Sequence, residues 1–286
     1  MTPTLVPLLV ARGLTRRLVA AVHVGASHLS DGALRRLRWL GRRVCDRVVC
    51  VSETSAKGLF GDPGSSARAR VRVIANAVDT AAAARAEAAD WRARAGWPRD
   101  AVVVGYLGRL ARIKGPDLLV SAFATLAVQR PALRLVLAGA GEQEAALRQQ
   151  VAASALADRV HFAGPIPRDA VFAALRGFDL AVVPSREEGF GLSAAEALAA
   201  GAATVATRVG ALPEVLADGR NGVLVDPDSP AALAQGMAGL LDDAGLRAHL
   251  GAAGADDMAR RFGRAALQQS LAELLASLGL GTEARP

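Results

Sequence analysis

A chain of 286 residues is too long for one small module and long enough for one large domain or two ordinary ones. With 52% hydrophobic and 21% charged residues it can bury a sizeable core, which excludes wholesale disorder. The 34 Lys and Arg exceed the 27 Asp and Glu by seven, a balance that suits phosphates, nucleic acid or an acidic membrane face without choosing among them.

The opening 5–11 stretch has something of a signal-peptide core, but it lacks a basic start and contains Pro7, so it is read as part of a helix. Short β-rich apolar runs then alternate with longer helical stretches, the pattern of a parallel α/β sheet. Strands are expected at 18–24, 47–51, 71–75, 101–107, 133–138, 160–162, 180–183, 203–206 and 222–225. Most are apolar on both faces, as strands covered by helices on two sides are. Helices are expected at 116–128, 143–155, 168–176, 192–200, 230–241, 246–261 and 265–278. The organisation expected is a partial N-terminal Rossmann-like domain at 1–80, a linker at 81–95, a complete Rossmann-like domain at 96–250, and C-terminal helices at 251–286 that cross back to the first domain.

The only cysteines, Cys45 and Cys50, form no CxxC and have no histidine at ligand spacing. That argues against a disulfide scaffold or a zinc site and for a reducing compartment. No run of 18 apolar residues exists, so no span is expected. The expected location is cytoplasmic, with the inner membrane face as a peripheral possibility.

The densest chemical signal is the 184–198 stretch, Pro-Ser-Arg-Glu-Glu-Gly-Phe-Gly-Leu-Ser-Ala-Ala-Glu-Ala-Leu. A strand ends, a turn bearing Gly189 and Gly191 follows, and a helix opens near Leu192. Its first N–H groups form an anion nest reinforced by the helix dipole. Glu188 in the loop and Glu196 one turn into the helix can reach one ligand from two sides. On spacing alone the same residues also describe a charged loop and a helix-surface glutamate. A second cluster runs from Gly105 to Gly115, with Arg109 and Lys114 just past a strand's carboxyl end, where open α/β sheets place ligands. Two cations there suit a diphosphate, although solvated loop charges are the commoner fate of such residues.

Taken together these residues resemble the family 4 glycosyltransferases, retaining enzymes of the GT-B fold. The likeness runs from about His23 to Gly263. It is carried by Gly108-Arg109-Leu110 with Lys114-Gly115, by Glu188 and Glu196 eight apart, and by Glu196-Ala197 with Gly201. Gly210-Ala211 with Glu214, the 218–225 stretch and the 73–79 segment extend it. The resemblance implies an α/β, GT-B-like fold with a C-terminal donor domain, and transfer of a hexosyl group from a UDP- or GDP-linked sugar to a glycan or lipid-linked acceptor, with retention. It implies a place in envelope polysaccharide synthesis. By resemblance, Glu196 binds the ribose hydroxyls and Arg109 with Lys114 the diphosphate. Glu188, Gly189, Phe190, Gly191 and Leu192 contact the donor sugar and its β-phosphate. Glu188, His23, Arg109 and Lys114 are the expected catalytic residues, the two cations stabilising the leaving nucleoside diphosphate. His23 also reads as a histidine satisfied at a strand end. Ser52 resembles a further cleft position.

Other signals are set aside. Gly139-Ala140-Gly141 invites a dinucleotide reading, but Glu144 stands where the third glycine belongs. Asp226-Pro227-Asp228 satisfies a DxD pattern, but helix capping by 228–230 explains it better, and no metal or other cofactor is expected. The basic 35–43 stretch around Trp39 reads either as a solvated helix face or as an amphipathic patch for anionic lipid. No nucleic-acid-binding motif accompanies it, so nucleic acid is not an expected partner. Only three strands are expected before residue 80. The resemblance implies two complete Rossmann-like domains, so beside that family the N-terminal domain reads as lacking its first strand and glycine-rich loop, through a misplaced start, a second chain or decay of the gene. The alternative function is a catalytically weak nucleotide-sugar binding chain that needs a partner or a longer N-terminus.

Overall fold

The computed structural model describes residues 5–23, 25, 29–66 and 68–280; Val24, the end of the first expected strand, lies outside them. The described residues fall into two compact units. One groups Met1–Ala77, Glu188–Phe190 and Arg264–Pro286, and the other Val78–Glu187 and Gly191–Gly263.

The first unit runs α1 (Leu5–Leu14), β1 (Val19–Val22), α2 (Asp31–Arg43), β2 (Arg47–Cys50), α3 (Glu53–Phe60) and β3 (Val71–Val73). Its strands pair in parallel in the order β1-β2-β3. Leu37 and Leu40 of α2 and Leu59 and Phe60 of α3 share a core with Val48, Cys50 and Val71. Cys45 and Cys50 are buried free thiols, and burial pushes Cys50 up to about 11.

The second unit continues with α4 (Thr80–Arg85), α5 (Trp91–Ala95), β4 (Val102–Leu107), α6 (Pro116–Ala127), β5 (Leu133–Ala138), α7 (Glu144–Ala153), β6 (Val160–Gly164) and α8 (Val171–Arg176). There follow β7 (Leu180–Val183), α9 (Leu192–Ala199), β8 (Thr204–Thr207), α10 (Leu212–Val215), β9 (Val223–Val225), α11 (Pro230–Asp242) and α12 (Ala244–Phe262). The six strands are parallel in the order β6-β5-β4-β7-β8-β9. The chain enters at the centre, builds outward one way, then returns beside β4 with β7, so the switch point lies between β4 and β7. Strand periodicity explains the two covered faces. Val104, Leu135 and Leu137 feed the cluster with Leu119, Phe123 and Met237. Their neighbours Val103, Val136 and Ala138 feed the one with Trp91, Phe178 and Ala197.

Residues 81–95, expected as a linker, carry α4 and α5. Asp79 and Asp90 cap these helices by accepting from the N–H groups of Ala82 and Ala93. Trp91 is buried and stacks on Phe178 at 5.6 Å, with its indole N–H donated to the Ala174 carbonyl. An alanine run that reads as a break is a good helix former once its first turn is capped. Of 251–286, α12 stays with the second unit. Helix α13 (Arg264–Ala276) groups with the first, where Leu274 and Leu278 pack on Ile74. Arg17 and Arg47 donate to the carbonyls of Leu278 and Ser277, placing cations at the helix's negative end. Among the described residues no helix is long and apolar enough to cross a membrane.

Candidate functional site

Both clusters singled out in the sequence emerge from the carboxyl ends of β4 and β7, the two strands that flank the switch point. Their loops touch main chain to main chain. Gly115 adopts φ +66°, and a Cβ there would sit 2.0 Å from the Pro184 carbonyl oxygen, so only glycine fits. The N–H of Arg186 donates to Ile113 O at 2.8 Å. Tyr106, buried in β4, donates its hydroxyl to Arg109 O at 2.6 Å and pins the start of the first loop. The Arg109 side chain is exposed; Lys114, ending a 3-10 turn over Arg112–Lys114, is half-buried.

A clamp absent from the sequence reading fastens these loops. Arg186 makes a bidentate pair with Asp117 at the start of α6, both bonds at 2.8 Å, and bonds Asp228 at 2.6 Å and Arg112 O at 2.7 Å. Burial pushes the Asp117 carboxyl up, but the Arg186 hydrogen bond and charge more than offset this and hold it below its ordinary value. The pair therefore stabilises the fold above the ordinary carboxylate range and loses that contribution as pH falls through the lowered value. Arg186→Ala is expected to cost about 1–3 kcal/mol in urea unfolding at pH 7, because it strands a part-buried carboxylate. The deficit should shrink in acid; a pH-independent deficit would assign the loss to packing.

At the second loop, Gly191 takes φ +96° and begins α9 without a side-chain cap. The first intrahelical bond is Ala195 N to Gly191 O, so the N–H groups of the first turn point outward as an anion nest. Leu192 is exposed there. Glu196, one turn in, is half-buried. Burial pushes its carboxyl above the ordinary value, with Arg168 opposing. A partly desolvated carboxylate one turn into an uncapped helix, with two cations on the loop that leaves the neighbouring strand at the same switch point, is suited to a ligand carrying both hydroxyls and phosphates.

Glu188, Gly189 and Phe190 group with the first unit, Glu188 half-buried and Phe190 buried. There Gly189 O accepts from the hydroxyls of Ser52 at 2.8 Å and Ser55 at 3.1 Å. Ser52 is thereby a structural anchor as well as the cap of α3, accepting from Ser55 N at 3.0 Å. His23 follows β1 with an exposed side chain; its main-chain oxygen lies 3.3 Å from where a Cβ on Gly189 would sit.

The signals set aside have structural roles. Cβ atoms at Gly139 and Gly141 would fall 1.8 Å from Gly108 O and 2.2 Å from Leu110 O. That turn is the buttress of the 108–114 loop, with Gly108 N and Leu110 N donating to the carbonyls of Ala138 and Ala140. Ser229 caps α11, whereas Asp228 sits at φ +54° and pairs with Arg186 instead of capping. In the 218–225 motif Asn221 is buried and bridges Ala217 N to Asp257, while Asp218 accepts from Leu224 N.

The family model described as glycosyl transferases group 1 matches residues 87–257, more than half the chain. The chain belongs to this family. The D-inositol 3-phosphate glycosyltransferase of Acidothermus cellulolyticus is 39% identical over 214 residues, 72% of this chain and 47% of that protein. The protein of the same name from Thermobispora bispora is 37% identical over 240 residues, covering 81% and 56%. The chain thus spans about half the length of the curated relatives it matches. Among solved structures, Anabaena HepE in complex with UDP and glucose superposes with a TM-score of 0.83 at 26% identity, over 96% of this chain and 76% of that one. Sucrose-phosphate synthase from Thermosynechococcus elongatus gives 0.81 at 25%, over 96% and 71%. The fold is α/β and GT-B-like, as expected from the sequence.

Proposed function

We propose that this family member is a family 4 glycosyltransferase. In this reading it transfers a hexosyl group from a nucleoside-diphosphate sugar, with retention, to a glycan or lipid-linked acceptor. The observation that carries the proposal is the convergence at one switch point of two loop cations, an uncapped helix start and the desolvated Glu196. Glu196 accepts the ribose hydroxyls, Arg109 and Lys114 hold the diphosphate, and the N–H groups that open α9 hold the β-phosphate. As the bond from the anomeric carbon to phosphate breaks, its electrons pass to the diphosphate, and the two cations stabilise that charge. The acceptor oxygen attacks the same face and its proton goes to the departing phosphate, with no metal invoked. The roles of Glu188, Gly189, Phe190 and His23 at the sugar rest on the resemblance alone. The UDP-glucose complex of HepE favours uridine, and the names of the curated relatives add inositol 3-phosphate to the acceptors worth testing.

Calorimetric titration with UDP and then GDP tests the donor half. One of them is expected to saturate, and Lys114→Ala to weaken it by about 1.5–3 kcal/mol, roughly 10- to 150-fold. Binding of neither by folded protein, or an unaltered affinity in Lys114→Ala, would overturn the assignment.

A further inference from the structure

Helix α2 presents a face that the transferase reading leaves unused. Ala33, Leu37, Leu40 and Gly41 are buried against the first unit's core. Arg35, Arg36, Trp39, Arg42 and Arg43 are exposed, Trp39 by 49%. At 100° per residue these five fall within an arc of about 120°, with Trp39 between two arginines a turn before it and two a turn after. Among the described residues, those four arginines have no hydrogen-bonding or ionic partner. Arg38, on the flank, is the exception that defines the edge: it donates to Leu59 O and Gly58 O of α3. Of the nearby acids only Asp31 borders this arc, one turn before Arg35, so the face keeps a clear excess of positive charge. Asp31 lies in the first turn, and Asp46 is already paired with Arg12 and Arg17. The Arg12–Asp46 pair ties the last turn of α1 to the turn between α2 and β2.

We propose that this face docks on an anionic lipid surface, the four guanidiniums on headgroup phosphates and Trp39 at the level of the interface. The inference does not depend on the chain being a transferase. Charge complementarity selects the occupant. A solvated helix face needs no half-exposed tryptophan among unpaired arginines, and a protein partner of ordinary composition would meet a strong excess of positive charge. An amphipathic helix with basic residues around an indole fits the boundary of headgroups and acyl chains.

The test is flotation of the full chain with vesicles of phosphatidylcholine containing a third phosphatidylglycerol, against phosphatidylcholine alone. Binding to the anionic vesicles is expected to be at least tenfold stronger, to fall steeply at 0.5 M salt, and to drop more than tenfold in Arg35→Gln/Arg36→Gln/Arg42→Gln/Arg43→Gln. Tryptophan emission should shift to the blue on binding, and this shift should vanish in Trp39→Phe. If the fourfold variant fails to fold, Arg35→Gln/Arg36→Gln and Arg42→Gln/Arg43→Gln taken separately should each lose severalfold. Equal binding to neutral vesicles, full binding by the arginine variants, or capture of an oligonucleotide in preference to vesicles would overturn the proposal.

Discussion

Glu196→Gln is expected to melt at a higher temperature than the parent chain at pH 7 and to bind nucleoside diphosphate at least tenfold more weakly. The two effects have one cause. Burial raises the Glu196 carboxyl above its ordinary value, so the folded chain holds this proton more tightly than the unfolded chain does. Its influence on stability is therefore most favourable below the unfolded value, about pH 4, and declines as pH rises through the raised folded value. At neutral pH the fold carries a partly desolvated charge that glutamine removes. The gain in melting temperature should consequently disappear near pH 4, where the parent is protonated. In the proposed site the carboxylate accepts from two ribose hydroxyls, charge-assisted bonds worth about 1.5–3 kcal/mol each, and glutamine would weaken them. A variant that is less stable but binds normally would make Glu196 a structural residue. A residue costly to the empty fold and useful to the bound one is the pattern expected of a binding site.

Gly139→Ala is expected to destabilise the second unit by more than about 3 kcal/mol, because two penalties combine. The residue adopts φ +142°, and a Cβ would lie 1.8 Å from the Gly108 carbonyl oxygen, a main-chain atom with no room to retreat. Whatever folds should also lose nucleotide affinity, since the displaced strand of chain leads to Arg109 and Lys114. Gly219→Ala is the control. It too has a positive φ, +71°, but nothing lies within 4 Å of its Cβ, so only backbone strain of about 1 kcal/mol applies. Equal midpoints for the two variants in urea would show that the 139–141 turn is not the buttress of the first loop.

Much of this architecture was legible locally. The nine strands among the described residues form where apolar residues repeat on both faces. β5 and β7 match the expected bounds, and others, β1 and β3 among them, are shorter. Trimming at the ends reflects pairing partners, which a single segment does not reveal: β3 stops at Val73 because β2, its neighbour, ends at Cys50. Short helices were harder to read. Helices α4 and α5 depend on aspartate caps and, for α5, on Trp91 finding Phe178 in sequence-distant α8–β7 chain. The site divides the same way. Arg109, Lys114, Glu188 and Glu196 stood out because each sits at a strand end or helix start, a position defined by its immediate neighbours. Arg186 lies within the densest motif, yet nothing local marks it as a clamp, since its partner Asp117 is 69 residues away.

From the amino-acid sequence alone came the alternation of strand and helix, the positions of the loops that bear charge, and the family resemblance. Each is set by chemistry within a turn or two of the chain: side-chain periodicity, glycine at tight bends, carboxylates and cations at element ends. Tertiary structure alone decided that β7 returns beside β4, that glycine at 115 lets one loop rest on the Pro184 carbonyl, and that Arg186 locks the pair to Asp117. Those outcomes depend on strand order and on close packing between segments far apart in the chain. Burial likewise turned Glu196 from a helix-surface carboxylate into a desolvated one, because the low-polarity surroundings that raise its proton affinity exist only once the sheet and helices have closed around it.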